Sequence, residues 1–377
     1  MTACLLLVVS SCGSNDEKSL AAKPAELEKY EKTAKLKRIW SSTIGEGQDR
    51  RYSRFTPAVV DGVIYSADAE GRVFAHSLEK GRRLWRVNTK LNIGGAIAAN
   101  ETQVFFGTYD GEVVALDSSS GEQLWKAQVS SEVVAPPAVS DEIVVAQAID
   151  GRVVALSASD GGLLWSYDHP VPVLSLRGTA SPAIVTRQVI LAFDNGQLLS
   201  LGLQDGVAQW DVRVSRPQGR TELERIVDID GAPLVQGAFI YAASYQGRLV
   251  AINRGTGRVM WTKDINTANR LALGHGNIYA SDMNGKIYAF NSLTGDVVWQ
   301  SEALKNRGPR APTVIGDYVA VIEEEDDYLH LMSSTDGTFA YRFKPAGNRF
   351  RSPSIAADDV LYVLADNGKL SAYSLAE

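Results

Sequence analysis

The chain has 377 residues, is 45% apolar and 22% charged, and carries a formal net charge of -6; this is the composition of a globular protein able to bury a large core. The acidic balance argues against a nucleic-acid binder, whose phosphate contacts need a concentrated Lys/Arg surface. Both cysteines, Cys4 and Cys12, lie close to the start, so disulfides and thiolate metal sites are excluded from the folded part.

In chain order, the apolar run Leu5-Leu6-Leu7-Val8-Val9 followed by Ser10-Ser11-Cys12 reads as the end of a signal segment leading into the small residues at which a peptidase cuts. It resembles a bacterial lipobox. That resemblance implies that residues 1–11 are removed and that Cys12 is acylated as the first mature residue. No Lys or Arg precedes the apolar run, which points to a truncated start. Gly13 stands where lipoproteins kept in the inner membrane resemble one another in carrying Asp, so outer-membrane sorting is expected. Residues 12–35 lack strand patterning and read as a tether with one helical stretch around residues 24–37. If flexible, some twenty such residues span roughly 25 Å.

The rest of the chain is repetitive. Tryptophans stand at Trp40, Trp85, Trp125, Trp165, Trp210, Trp261 and Trp299, at intervals of 45, 40, 40, 45, 51 and 38 residues, and Tyr341 takes the next place. Gly81, Gly121, Gly161, Gly206, Gly257, Gly295 and Gly337 each precede an aromatic by four residues, and a further glycine usually lies ten residues earlier. A period of this length marks a repeat architecture. Each unit divides into four short strands, exemplified by residues 56–60, 63–67, 73–77 and 83–87, between glycine-bearing breaks suited to tight hairpins. Four antiparallel strands make a propeller blade. Seven units are complete. Three further strands near the C-terminus lack a fourth, which residues 38–40 supply, so the N-terminal strand is predicted to close an eight-bladed β-propeller over residues 36–377.

The recurring Ala-x-Asp/Asn-x-x-Thr-Gly-x-x-x-Trp pattern resembles the docking motif of quinoprotein-like propellers. By that resemblance the seven tryptophans are structural fasteners and imply no quinone. A WD40 reading fails because Trp210-Asp211 is its only signature.

Little chemistry is visible. His76, His169, His275 and His330 share no metal-ligand spacing and are expected on the surface or in loops. The acidic run at residues 323–327 lacks the alternation of a calcium loop and reads as a solvated hairpin. No phosphate loop, dinucleotide fingerprint or nucleophile elbow appears. A quinone-dependent dehydrogenase would need a vicinal cysteine pair and long insertions that this chain lacks.

Function in a propeller is carried by its connections. Two are long, at residues 167–180 and 214–232, and they flank blade four. The first carries Val171-Pro172-Val173-Leu174-Ser175-Leu176-Arg177-Gly178, an apolar alternation with one cation, of the kind that marks an interaction site when exposed. The second carries Asp228-Ile229-Asp230, whose carboxylates point the same way if the segment is extended. Alternatively the leucines fold inward and the aspartates cap turns. Together with the lipobox and the docking repeats, these segments resemble the BamB family, lipoprotein subunits of the outer-membrane β-barrel assembly machinery. The resemblance implies a non-catalytic, cofactor-free scaffold, lipid-anchored in the outer membrane and facing the periplasm. It also implies that Leu174, Leu176, Arg177, Asp228 and Asp230 bind the POTRA domains of BamA, and that unfolded outer-membrane clients are possible partners. The other readings are the dehydrogenase-like propeller and a different periplasmic propeller scaffold.

Overall fold

Short apolar stretches punctuated by glycine turns fold, in the computed structural model, into thirty-two strands. Residues 23–48, 54–176 and 179–376 are described, and none of them is helical. The strands form eight four-stranded antiparallel sheets. In blade one these are Ala58–Val60, Val63–Ala67, Arg72–Ser77 and Arg83–Asn88, hydrogen-bonded in chain order. First strands of successive blades touch one another and so line the axis of the ring.

Packing follows from this order. The second and third strands are covered on both faces by neighbouring blades, so they read as continuous apolar runs such as Val104-Phe105-Phe106, all fully buried. Fourth strands have one covered face and alternate, as in Gln123–Gln128. The cores lie between blades: Ile143, Val145 and Val153 of blade three pack against Val189, Leu191 and Leu199 of blade four.

The tryptophans fasten each blade to the next. Trp85 donates its indole N–H to the Ser118 carbonyl at 2.8 Å, Trp125 to Ala158 at 2.8 Å and Trp165 to Leu203 at 2.9 Å. The indole lies against the glycine of the next blade's last turn. Gly121 there has φ +76°, and a Cβ would come within 2.8 Å of the Trp85 ring, so the position needs glycine for its backbone and for its bareness. Opposite each of these aromatics the ladder carries a bulge, for example between Ala115 and Leu116.

The ring closes as expected. Leu36–Thr43 pairs antiparallel with Lys369–Leu375, from Leu36 opposite Leu375 to Thr43 opposite Lys369, and Trp40 donates to the Leu78 carbonyl of blade one at 2.8 Å. Blade eight therefore has no turn between its third and fourth strands. That accounts for Tyr341: the blade after it offers no glycine turn on which an indole could dock.

Three expectations need correction. Residues 24–35 form no helix. They run extended along blade seven, with Ala25 N–H donating to Lys305 O at 2.9 Å and Thr33 N–H to Ala340 O at 3.1 Å, while the Tyr30 ring lies under the Arg342 guanidinium at 5.0 Å. Leu27, Tyr30 and Ala34 find apolar partners there, and tertiary contact overrides helix propensity. His76 and His330 are not at the surface. Both sit in third strands, 2% and 0% exposed, and burial pushes their pKa down to about 4 and about 3, with nearby arginines adding to the shift. The acidic run is only partly solvated: Glu323 is buried, pairs with Arg307 at 3.3 Å, and accepts the backbone N–H groups of Glu325 and Asp326.

Candidate partner-binding site

Three connections meet beside blade four. They are the link that follows the outer strand of blade three, Leu163–Asp168, the hairpin between Gln188–Ala192 and Gln197–Gly202, and the link that follows Ala208–Arg213. In blades one to four the link folds back over the hairpin glycine; here His169 N–H donates to Gly151 O at 3.2 Å and Val214 N–H to Gly196 O at 2.8 Å. Gly151 has φ +87°, and a Cβ on it would strike the His169 carbonyl at 2.2 Å. His169 in turn stacks on Phe193 with ring centroids 3.8 Å apart and contacts the Asn195 amide at 2.9 Å. The first link is thus pinned to the blade-four hairpin.

The two long connections are joined directly, because the Leu176 backbone N–H donates to a carboxylate oxygen of Asp228. Above that bond the link presents its apolar residues. Val173 is 96% exposed, Leu174 39% and Leu176 38%, so the leucines are seated by their inner halves and offer the outer ones. The outward and inward alternatives each describe half of these side chains.

Asp228 corrects the sequence reading in one respect. It is fully buried and reaches a partner only through the loop it holds. Its carboxylate and that of Asp230 do point the same way, and they converge with Asp194 of the hairpin, with ligand atoms all within 4.8 Å. Burial is the main cause that raises all three: Asp194 to about 6, with a bond to Ser175 opposing, and Asp228 and Asp230 to about 7. The Leu176 N–H pulls Asp228 back, and Arg54 does so for Asp230. Asp228 Oδ1 and Asp230 Oδ1 are buried without a hydrogen-bond partner. This is the only such carboxylate group among the described residues. Calcium takes six to eight oxygens, whereas the neighbours here are the Leu176 N–H, which donates to Asp228, and the positive charge of Arg54 near Asp230, so the surroundings suit carboxyls that share protons.

A pH dependence follows. Between about pH 4 and pH 7 the folded triad retains protons that the unfolded chain releases, so its contribution to stability falls as pH rises through that window and is constant above it. Asp230→Asn removes the charge and retains the shape. At pH 8 the variant is expected to be more stable than wild type by about 1–3 kcal/mol, discounted for partial solvent access, with the difference vanishing below about pH 4. Thermal melts at the two pH values check this; a variant less stable at pH 8 would show that the triad is ionised and paired.

Of the expected site residues, the structure brings Leu174, Leu176, Asp228 and Asp230 together. Arg177 and Cys12 lie outside the described residues. Asp194 was missed. The position two before the hairpin glycine is Ala69, Tyr109, Ile149, Tyr245 and Met283 in five other blades but Asp366 in blade eight, so an aspartate there is only a weak signal.

Fold and fasteners together define a propeller of the quinoprotein-like, PQQ-repeat class. A solved quinohemoprotein alcohol dehydrogenase from Comamonas testosteroni is similar in fold alone, with a TM-score of 0.69 at 13% identity, covering 90% of this chain and 76% of that one. A family model described as outer membrane protein assembly factor BamB matches residues 69–301 and 283–377. The BamB of Pseudomonas aeruginosa is 44% identical over 371 residues, 98% of this chain and 97% of that protein. The crystal structure of BamB from Moraxella catarrhalis has a TM-score of 0.82 at 27% identity, covering 90% of this chain and 99% of that one. The chain belongs to the BamB family.

Proposed function

We propose that the protein is a non-catalytic scaffold for assembly of outer-membrane β-barrel proteins, and that it docks on the periplasmic POTRA domains of BamA through the loop bearing Leu174 and Leu176. Membership of a family named for outer membrane protein assembly supports the role. The observation that carries the docking surface is the half-seated leucine pair, exposed on a long link and held from beneath by Asp228. A partner that covers it gains apolar burial without paying to order the loop, which is already fixed to the blade-four hairpin. By the family resemblance Arg177 adds charge to the contact, while Asp228 and Asp230 support the loop from beneath. The work needs no cofactor. Affinity purification from solubilised outer membrane is expected to recover BamA; recovery of a bound quinone in its place would select the dehydrogenase-like reading.

In the same reading Cys12 carries lipid and holds the propeller on the periplasmic side of the outer membrane. One acyl chain binds membranes only marginally, and stable anchoring takes a second. Cys12→Ala is therefore expected to move the protein from the membrane to the soluble fraction. Intact mass of membrane-extracted protein should correspond to a chain that begins at an acylated Cys12, and an unprocessed Met1 would defeat the idea.

A further inference from the structure

A second feature lies on the far side of the same link. A cleft of about 1200 Å³ opens beneath the lobe formed by residues 216–224, between blades four and five. Arg213 at the end of Ala208–Arg213, Arg248 on the third strand of blade five (Gly247–Asn253), and Arg216 and Arg220 of the lobe line it, with Glu224 and Asp264 as its carboxylates. Four cations thus face two anions, in a protein whose net charge is -6.

The two carboxylates offset only half of that charge. Glu224 accepts the backbone N–H groups of Arg220 at 2.6 Å and Thr221 at 3.1 Å, which commits its charge to folding the lobe; those bonds hold its pKa below the usual value. Asp264 meets Arg248 at 3.5 Å and is 94% exposed. Among the described residues, no carboxylate lies within ion-pair distance of Arg213, Arg216 or Arg220. Like charges gathered on a concave wall raise the local potential and favour an anionic visitor.

We propose that this cleft is a binding site, separate from the leucine face, for an acidic extended protein segment. Arginine forks match carboxylates bidentately, and the volume exceeds the roughly 300–1,000 Å³ of ordinary small-molecule pockets, which suits several residues of chain. The overhanging lobe screens the wall from a flat lipid surface.

The probe is a fluorescein-labelled peptide of alternating Glu and Ser, titrated with the full chain and read by fluorescence anisotropy. It is expected to bind, to weaken between about 50 and about 200 mM salt as exposed charges are screened, and to lose roughly tenfold or more in affinity to the Arg216→Glu/Arg220→Glu variant, a factor of ten being about 1.4 kcal/mol. Both substitutions are at exposed lobe positions, and circular dichroism confirms the fold. Leu174→Ala/Leu176→Ala protein should bind the peptide like wild type, which separates this site from the docking surface proposed above. Equal binding of a Gln/Ser peptide, indifference to the charge reversal, or loss in the leucine variant each overturns the proposal. So does charge-dependent binding to phosphatidylglycerol vesicles with none to the peptide, which would assign the cleft to lipid.

Discussion

Replacing Leu174 and Leu176 together by alanine is expected to weaken binding to BamA by about 1–3 kcal/mol, or roughly one to two decades. The estimate starts from the 1.5–3 kcal/mol of a fully buried leucine. Only the exposed part of each side chain, 39% and 38%, remains for a partner to cover, so each contributes about 1 kcal/mol by area, and the energy concentrates further where a few such residues form the centre of a contact. Val173 provides a sharper probe. At 96% exposure it makes almost no contact in the free protein, so Val173→Asp leaves the fold alone while placing a charge in the middle of an apolar contact, where burial without a partner is costly. The triple variant should lose more than about two decades of affinity. Pull-down of BamA with each variant, with melting temperature as the folding control, decides the matter. A folded triple variant that binds BamA like wild type would move the docking surface to another face. Asp228→Ala separates support from contact: it leaves the leucines in place but removes the acceptor for the Leu176 N–H, so its defect should appear in loop ordering as well as in affinity.

The ring was legible because its period is carried by residues that physics leaves little choice about. A glycine at positive φ under an indole cannot be replaced without strain or collision, so Gly121 and its six counterparts each stand four residues before the aromatic of their own blade, while the distance from one unit to the next varies. Closure was legible for the same reason: Trp40 has the spacing of a fourth strand but no strands before it. What escaped was decided by contacts between segments distant in sequence. Residues 24–35 carry no strand pattern, because their path is set by blade seven, through Leu27, Tyr30 and the Arg342 guanidinium. His76 follows Phe74-Ala75 on a strand covered on both faces, so it is buried by its neighbours, whatever its own polarity. Within the site, the link-borne leucines and aspartates could be picked out as departures from the repeat. Asp194 could not be paired with Asp228 until the two links were seen to close over the blade-four hairpin.

Deleting the chain through Ser42 is expected to unfold the propeller, whereas deletion through Ala34 should cost little. The difference rests on what each segment carries. Residues 25–34 contribute a few backbone bonds, the packing of Leu27 and the Tyr30–Arg342 stack, and a solvent-exposed cation–π contact is worth about 0.5–1 kcal/mol; the shorter truncation should lower stability by roughly 1–3 kcal/mol. Leu36–Thr43 carries the fourth strand of blade eight, paired with Lys369–Leu375 along its length. It also carries the buried Leu36, and Trp40, whose indole is the fastener between blades eight and one. Removing two large side chains from apolar burial forfeits about 3–6 kcal/mol. The ladder bonds and the ring closure are lost with them, in a protein whose whole stability is expected to be about 5–15 kcal/mol. The deletion further leaves Lys369–Leu375 as an unpaired strand edge, a template for pairing with another molecule, so aggregation should accompany the loss of structure. Circular dichroism melts and size-exclusion chromatography of the two truncated proteins measure both effects. Equal melting temperatures would show that the ring does not depend on its N-terminal strand, and a monomeric, fully folded product of the longer deletion would require another segment to cover that edge.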